Sequence, residues 1–256
     1  MATFIACRTR TLSPAAQLAA ERAIMERHPE EARPVRGGRG DRVTRIAVNI
    51  GNRWPAAGVR LTVSFLDGGS VALRKRILEH MNAWSKSANV RFREARTDPD
   101  VRITRVDSPP EDAGYWSYLG TEILGAEADE PTMNLEGFTA RTSEAEYRRV
   151  VRHEAGHTLG FEHEHMRSEF VRRIDRRKAI RYFRKTDGWT PEEVREQVLT
   201  PLEETSIMGS AGDEHSIMCY QIPGEITKDG QPIMGGIDID RSDFAFAASI
   251  YPKRGR

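Results

Sequence analysis

Residues 153–163 combine the side chains that metal-dependent hydrolysis requires, reading His-Glu-Ala-Gly-His-Thr-Leu-Gly-Phe-Glu-His. His153 and His157 are four residues apart, so on a helix both imidazoles lie on one face and can bind one Zn²⁺ ion. Glu154 lies about 100° further round that helix, where it can accept a proton from a metal-bound water without being a ligand. The pattern predicts hydrolysis of an amide bond by metal-activated water.

The third histidine, His163, can reach the same metal only if the helix ends before it. Gly160 provides that end, since glycine tolerates the positive φ at which a helix stops and the chain turns back. Ser143, followed three residues later by Glu146, is a capping-box pattern that indicates where the helix begins. The alternative, ordinary polar histidines on an exposed helix, is disfavoured because the glycine and the third histidine follow in register after a capped helix. His165 falls outside the spacing, and we expect it at the surface or behind the metal ligands.

A second stretch, residues 216–220 (Ser-Ile-Met-Cys-Tyr), resembles the Met-turn of metzincin metallopeptidases. The resemblance implies that Met218 lies beneath the histidines as a polarizable apolar cushion. It also implies that Tyr220 lies near the metal, where it would bind zinc or stabilise the oxyanion of the tetrahedral intermediate. Without the histidine pattern, both would be interpreted as core residues.

Residues 153–164 are similar to the astacin pattern, which includes a phenylalanine at 161 and a glutamate after the third histidine. Residues 240–252 resemble the C-terminal helix of astacins, and the likeness covers roughly residues 54–252. Residues 115–120 look like the upper-rim segment with which these enzymes bind substrate. The candidate substrate contacts are Tyr115, Trp116, Ser117 and Tyr118.

The chain also departs from the astacin pattern. Cys219 stands where astacins usually carry a histidine, and the chain has only one other cysteine, whereas astacin domains usually contain disulfides. These departures fit a bacterial branch between astacins and matrixins. The resemblance implies a zinc endopeptidase that acts on extended polypeptides, with Zn²⁺ as its cofactor. The alternatives are a catalytically silent zinc-containing module that binds peptides, and a protein that stores or senses metal.

The predicted elements favour an α+β metzincin-type catalytic domain over residues 51–256. We expect a twisted mixed sheet with two backing helices above the zinc cleft, and a mainly helical or irregular lower subdomain with the Met-turn. The predicted strands are 59–66, 90–95 and 101–106, and the predicted helices are 13–28, 71–87, 175–185, 191–198 and 242–250. Residues 133–135 and the rim segment should form a sheet edge, to which an extended peptide can add antiparallel as a further strand.

Residues 1–50 are predicted to be a separate N-terminal segment and a candidate pro-segment. In its helix, Leu18, Ala19, Ala23 and Ile24 are expected to form an apolar stripe. Two residues of the segment are candidates for blocking the metal: Cys7, whose thiolate would displace the catalytic water as in cysteine-switch pro-segments, and Asp41, as an aspartate switch.

Two further possibilities concern the same segment: a disulfide between Cys7 and Cys219, or an ordinary free Cys7 thiol. The partner of Glu164 also depends on whether the N-terminal segment is removed. In astacins this glutamate pairs with the N-terminus that processing frees. If the chain is not cleaved, Glu164 needs another cation or stays exposed.

Composition excludes several classes of function. The net charge of +1, with acids and bases mixed along 256 residues, gives no reason to propose nucleic acid as a partner. No apolar run approaches the roughly 18 residues that a membrane span needs. The N-terminus lacks the apolar region of a Sec signal peptide, although enzymes of this type commonly work outside the cell. The expected partner is a protein or peptide substrate, and the sequence does not indicate an oligomeric state.

Overall fold

The computed structural model describes residues 7–10, 12–28, 48–49, 52–106, 113–202, 207–208 and 212–253. Asp41, one of the two candidate metal-blocking residues, lies outside these ranges. Among the described residues, no helix is both long and apolar enough to cross a bilayer.

A six-stranded sheet forms the upper part of the molecule, in the order β1-β6-β7-β5-β3-β4. A separate two-stranded antiparallel pair is formed by β2 and β8. The strands are β1 (Cys7–Arg10), β2 (Val48–Asn49), β3 (Val59–Phe65), β4 (Val90–Glu94), β5 (Val101–Thr104), β6 (Tyr115–Tyr118), β7 (Met133–Leu135) and β8 (Ile207–Met208). In the large sheet only β6 and β7 run antiparallel, and the other described neighbours are parallel. The predicted mixed sheet is confirmed.

The first backing helix, α2 (Val71–Met81), faces the sheet with the apolar residues that the sequence indicates. Its Ile77 and Met81 are fully buried, and the turn that follows it (Asn82–Lys86) buries Trp84. On the opposing strand β3, Val59, Leu61 and Val63 alternate into the same core, as the period of two in a strand requires.

The second backing helix runs without a break through α3 (Glu144–Glu146), a wider π-helical segment (Tyr147–Val151) and α4 (Arg152–Thr158). It starts as predicted, since the Ser143 hydroxyl accepts a hydrogen bond from the Glu146 amide at 3.2 Å. The Trp84 indole donates to the Arg152 carbonyl at 2.9 Å, which ties this helix to the end of α2. The zinc-binding signature therefore lies on an element that is packed into the core.

The lower part of the molecule is mainly helical. Its helices are α5 (Ser168–Val171), α6 (Arg176–Thr186), α7 (Pro191–Val194) with a π-helical extension (Arg195–Leu199), and α8 (Arg241–Ile250). A second apolar cluster built around Phe183, Trp189 and Val198 holds this region together. Cys7, from the N-terminal segment, belongs to the same cluster.

The N-terminal helix, α1 (Pro14–Arg27), begins as predicted at Ser13, whose hydroxyl accepts from the Ala16 amide at 3.3 Å. The predicted apolar stripe is wrong, because Leu18 is 55% exposed whereas Ala20 is buried. The helix packs on the turn Gly120–Gly125, and a Cβ at Gly125 would overlap the backbone of Ala16. Because the turn approaches the backbone of α1 so closely, α1 buries the face that carries small side chains such as Ala20, and the face with Leu18 stays exposed.

Candidate active site

Helix α4 holds His153 and His157 one turn apart, both buried. The helix ends at Leu159, and Gly160 takes a φ of +90°, a conformation that glycine adopts without strain. The chain then turns back and brings His163 against the two helical histidines, as predicted.

The three histidines converge on one point. Their Nε2 atoms are 3.1 Å (His153–His157), 3.2 Å (His153–His163) and 2.9 Å (His157–His163) apart. The Nδ1 atoms of His153 and His157 lie 2.6 and 2.7 Å from the carbonyl oxygens of Ile217 and Phe161. A carbonyl oxygen only accepts, so Nδ1 carries the proton in both rings and each Nε2 presents a lone pair.

This donor set fits Zn²⁺. Burial lowers the pKa of His153 to about 4 and lowers the pKa values of His157 and His163 well below the usual range, so all three rings are neutral near pH 7. Neutral lone pairs this close repel one another unless a cation lies between them. Backbone carbonyls that orient the rings through Nδ1 are the usual outer support of a histidine-bound metal.

Glu154 lies beside the histidines and is almost completely buried. Burial raises the pKa of its carboxyl to about 8, and the Cys7 thiol and the Arg149 guanidinium offset only part of that rise. Among the described residues, no backbone group and no side-chain nitrogen or oxygen hydrogen-bonds its carboxyl oxygens. Those oxygens are available to a water molecule or a substrate amide.

The turn at residues 216–220 lies directly under α4. The Cys219 amide donates to the Ser216 carbonyl at 2.9 Å, and the Met218 side chain packs so closely on the helix that a Cβ at Gly156 would overlap its sulfur. Asp243 of α8 fixes the turn from below, accepting from the Ser216 hydroxyl at 2.6 Å and from the Ile217 amide at 2.9 Å. Helix α8 therefore packs under the turn.

Tyr220, at the end of this turn, is buried against the histidines. Its ring centroid is 4.4 Å from that of His163 and 4.2 Å from that of His165, and the His165 and Tyr220 rings are parallel to within 12°. His165 was expected either at the surface or behind the histidines of the site. It lies behind them, fully buried and stacked on Tyr220.

Cys7 completes the group around the metal position. Its Sγ and the ligand nitrogens of His153, His157 and His163 all lie within 4.8 Å of one another. The thiol also contacts the side chains of Glu154 and Tyr220, and burial and Glu154 raise its pKa well above the usual range. Cys7 and Cys219 are both free thiols, so the predicted alternative of a disulfide between them is wrong.

Strand β1 delivers Cys7 to this position by pairing parallel with β6, in the register Cys7 to Tyr115 and Arg10 to Tyr118. Of the predicted rim side chains, Tyr115 lines the cavity beside the histidines, which has a volume of about 230 Å³. Ser117 instead faces the interior, with its hydroxyl 3.1 Å from that of Thr158. Trp116 lies under the guanidinium of Arg10, 4.0 Å from its ring centroid.

The family model described as Astacin, a family of peptidases, matches residues 47–234. The chain belongs to the astacin family. The zinc metalloproteinase nas-27 of Caenorhabditis elegans is 35% identical over 97 residues, which is 38% of this chain but only 19% of that protein. The chain thus spans about a fifth of the length of this curated relative.

Several solved structures share the fold. A structure of myroilysin matches with a TM-score of 0.75 and 31% identity, over 81% of this chain and 99% of that one. A crystal structure of myroilysin covers 97% of this chain and all of its own, with a TM-score of 0.60 and 27% identity. The hatching enzyme HCE-1 of the medaka fish Oryzias latipes has a TM-score of 0.51 at 20% identity, over 79% of this chain and 94% of its own.

Glu164, the glutamate that follows the third histidine in astacins, has a cation from within the chain. Its carboxylate is fully buried and accepts from Arg167 Nε at 2.7 Å, and the Asp213 amide lies 3.4 Å from the same oxygen. On sequence alone, Glu164 could pair with a freed N-terminus, pair with another cation or stay exposed. Within the described part of the chain, Arg167, three residues further on, provides such a cation.

Three features of the site were missed from the sequence: the partner of Glu164, the contact between His165 and Tyr220, and Arg149 at the cavity wall. Arg149 lies one turn before His153 and pairs with Glu146 at 2.5 Å. The two ion pairs could have been predicted from their spacing, because Glu146 and Arg149, like Glu164 and Arg167, are three residues apart and such residues are neighbours in a helical turn. The contact between His165 and Tyr220 spans 55 positions of the chain and leaves no such signal.

Proposed function

We propose that this chain is a zinc endopeptidase that hydrolyses extended polypeptides, and that its N-terminal segment keeps it latent. One observation supports this most: the three histidine nitrogens, the Glu154 carboxyl and Tyr220 all face the position at which Cys7 Sγ lies. Membership in the astacin family supports the same reaction.

In the proposed mechanism, His153, His157 and His163 would hold Zn²⁺, a Lewis acid that would lower the pKa of water toward roughly 7. Glu154, ionised once a cation beside it offsets the effect of burial, would accept a proton at a carboxyl oxygen as water attacks the peptide carbonyl carbon. It would pass that proton to the nitrogen of the leaving amine as the C–N bond breaks. The Tyr220 hydroxyl donates a hydrogen bond to the carbonyl oxygen as negative charge develops there. Met218 supports the histidines from below.

Latency in this proposal has two parts. The Cys7 thiolate would be the fourth ligand in place of the water, since thiolates bind zinc strongly. Strand β1 also pairs with the edge of β6, to which an extended substrate would add, and the Cys7 thiolate would hold the strand there. In Cys7→Ala the substrate would compete with a strand that the metal no longer anchors. The segment runs parallel to β6, whereas we expect a substrate to run antiparallel, so its peptide bonds are presented in the opposite direction. Residues 1–50 are accordingly proposed to be a pro-segment and residues 51–256 the catalytic domain.

The test uses the full chain with Cys7→Ala, and with Cys7→Ala and Glu154→Gln together. We expect the first to cleave casein, to lose activity with a chelator and to regain it with zinc. The second should bind zinc equally but lose at least about a hundredfold in kcat, since a positioned general base contributes about 10²–10⁴. Equal turnover in both variants would contradict the mechanism, and zinc binding without any cleavage would favour the peptide-binding module.

A further inference from the structure

His165 lies outside the zinc signature, yet it is one of the most closely packed residues of the site. Its side chain is fully buried. Its ring lies flat on the phenol of Tyr220, with centroids 4.2 Å apart and planes 12° apart. Among the described residues it is not part of the group that can hold a metal.

The His165 ring is also held at its edge by the lower subdomain. Its Nε2 lies 3.0 Å from the carbonyl oxygen of Gln197, and because a carbonyl only accepts, Nε2 carries the proton. Gln197 belongs to the π-helical segment Arg195–Leu199, whose Val198 and Leu199 are buried in the second apolar cluster. The Met166 carbonyl accepts from the Leu202 amide at 2.9 Å, which ties the neighbouring backbone to the same region.

Tyr220 is thereby confined between aromatic rings. His165 covers one face, His163 lies 4.4 Å away at 51°, and His153 lies 6.0 Å away at 23°. A rotation of the phenol about its Cα–Cβ bond must slide it off the His165 ring. The stack therefore restricts the phenol to the orientation in which its hydroxyl faces the Cys7 thiol, the position that a substrate oxygen would take once Cys7 leaves.

We propose that His165 is a positioning residue for Tyr220: it holds the phenol so that the hydroxyl donates to the developing oxyanion. This role rests on the proposed peptidase function. A hydrogen-bond donor that is already oriented stabilises a transition state without reorganisation during the reaction. Loss of the stack should therefore reduce kcat and the affinity for a tetrahedral analogue, and leave KM nearly unchanged.

The test is a double-mutant cycle in the full-length Cys7→Ala chain. His165→Leu removes the aromatic stack at similar volume, His165→Phe keeps a flat ring, and Tyr220→Phe removes the hydroxyl. The measurements are kcat, KM and, independently of turnover, the dissociation constant of a phosphinic peptide that mimics the tetrahedral intermediate. His80→Leu is the matched control, because His80 also packs against a tyrosine, Tyr147, at 5.2 Å but does not line the cavity.

We expect Tyr220→Phe to reduce kcat by about a hundredfold or more, as loss of one oxyanion donor does. His165→Leu should reduce kcat and phosphinic-peptide affinity by at least about tenfold, since a misplacement of about 1 Å can cost about a hundredfold. His165→Phe should recover most of this loss. In the Tyr220→Phe background, His165→Leu should have no further effect, because the hydroxyl that it orients is gone.

Independent, multiplicative effects of the His165→Leu and Tyr220→Phe substitutions would overturn the proposal, as would a loss with His165→Phe equal to that with His165→Leu. A fall in zinc content in both His165 variants would assign the residue to metal binding and also overturn it. If the Cys7→Ala parent neither cleaves casein nor binds the phosphinic peptide, the proposed function fails, and the role of His165 fails with it. A normal parent with independent effects refutes the role of His165 alone.

Discussion

Replacing Arg167 by methionine should destabilise the fold, because it removes the guanidinium that lies 2.7 Å from the buried Glu164 carboxylate. The exposed fractions of the two side chains are 9% for Arg167 and 0% for Glu164. Removal of one partner of a buried ion pair costs about 3–5 kcal/mol. We take the lower value, because the Asp213 amide, 3.4 Å from the carboxylate, still solvates it in part. In a protein of this size about 3 kcal/mol lowers Tm by roughly 6–12 °C.

The assay is thermal unfolding of the zinc-loaded chain as wild type, Arg167→Met, Glu164→Gln and the double variant. The double variant should unfold at a higher temperature than Arg167→Met, because Glu164→Gln replaces the buried carboxylate by a neutral amide. Arg173→Met is the matched control: Arg173 pairs with Asp229 at 3.3 Å at the surface, where such a pair contributes only about 0–1 kcal/mol. If Arg167→Met lowers Tm no more than Arg173→Met does, or if the double variant is no better than Arg167→Met, the ion pair is not what stabilises Glu164.

Three further predictions concern other parts of the molecule. Burial raises the pKa of Glu122 to about 7 from its usual 4.5, so the contribution of Glu122 to the free energy of unfolding falls as pH rises between those values. Glu122→Gln should remove this pH dependence. In measurements of Tm against pH, the variant should be more stable than wild type at pH 8, by at most about 3 kcal/mol, and should have no advantage at pH 4. Gly156→Ala should lower the free energy of unfolding by about 1–3 kcal/mol, because the added methyl group overlaps the Met218 sulfur, despite the better helix propensity of alanine. In a double variant, Met218→Val should restore part of the lost stability. With Co²⁺ in place of zinc, the full chain should show a thiolate-to-metal charge-transfer band that Cys7→Ser lacks, and a spectrum unchanged by that substitution would mean that Cys7 is not a ligand.

The convergence of the three histidines could be predicted from the sequence because their geometry is local. His153 and His157 share a helical turn, and only one glycine, Gly160, is needed to bring His163 round. The helices α2, α7 and α8 could be predicted for the same reason, since apolar spacing and capping residues act within a few positions. For the Met-turn segment, the resemblance to metzincins indicated where Met218 would lie, beneath the histidines.

Long-range pairing explains what could not be predicted. Nothing near Cys7 in the sequence indicates that β1 pairs with β6 more than 100 residues later, so three fates of its thiol stayed open. On α1, apolar content favoured Leu18, whereas the structure selects Ala20 because the turn at Gly120–Gly125 approaches the helix backbone closely. The contact between His165 and Tyr220 likewise depends on how the Met-turn and the lower helices meet.

We propose that this chain is an astacin-type zinc peptidase that Cys7 keeps latent. The measurement that decides this is zinc content together with casein cleavage, made side by side on the full-length chain and on Cys7→Ala. We predict one equivalent of zinc in both proteins, no cleavage by the full-length chain before its N-terminal segment is removed, and cleavage by Cys7→Ala. Equal activity in both would contradict the role of Cys7 in latency, and zinc without activity in either would contradict the assignment as a cysteine-blocked peptidase.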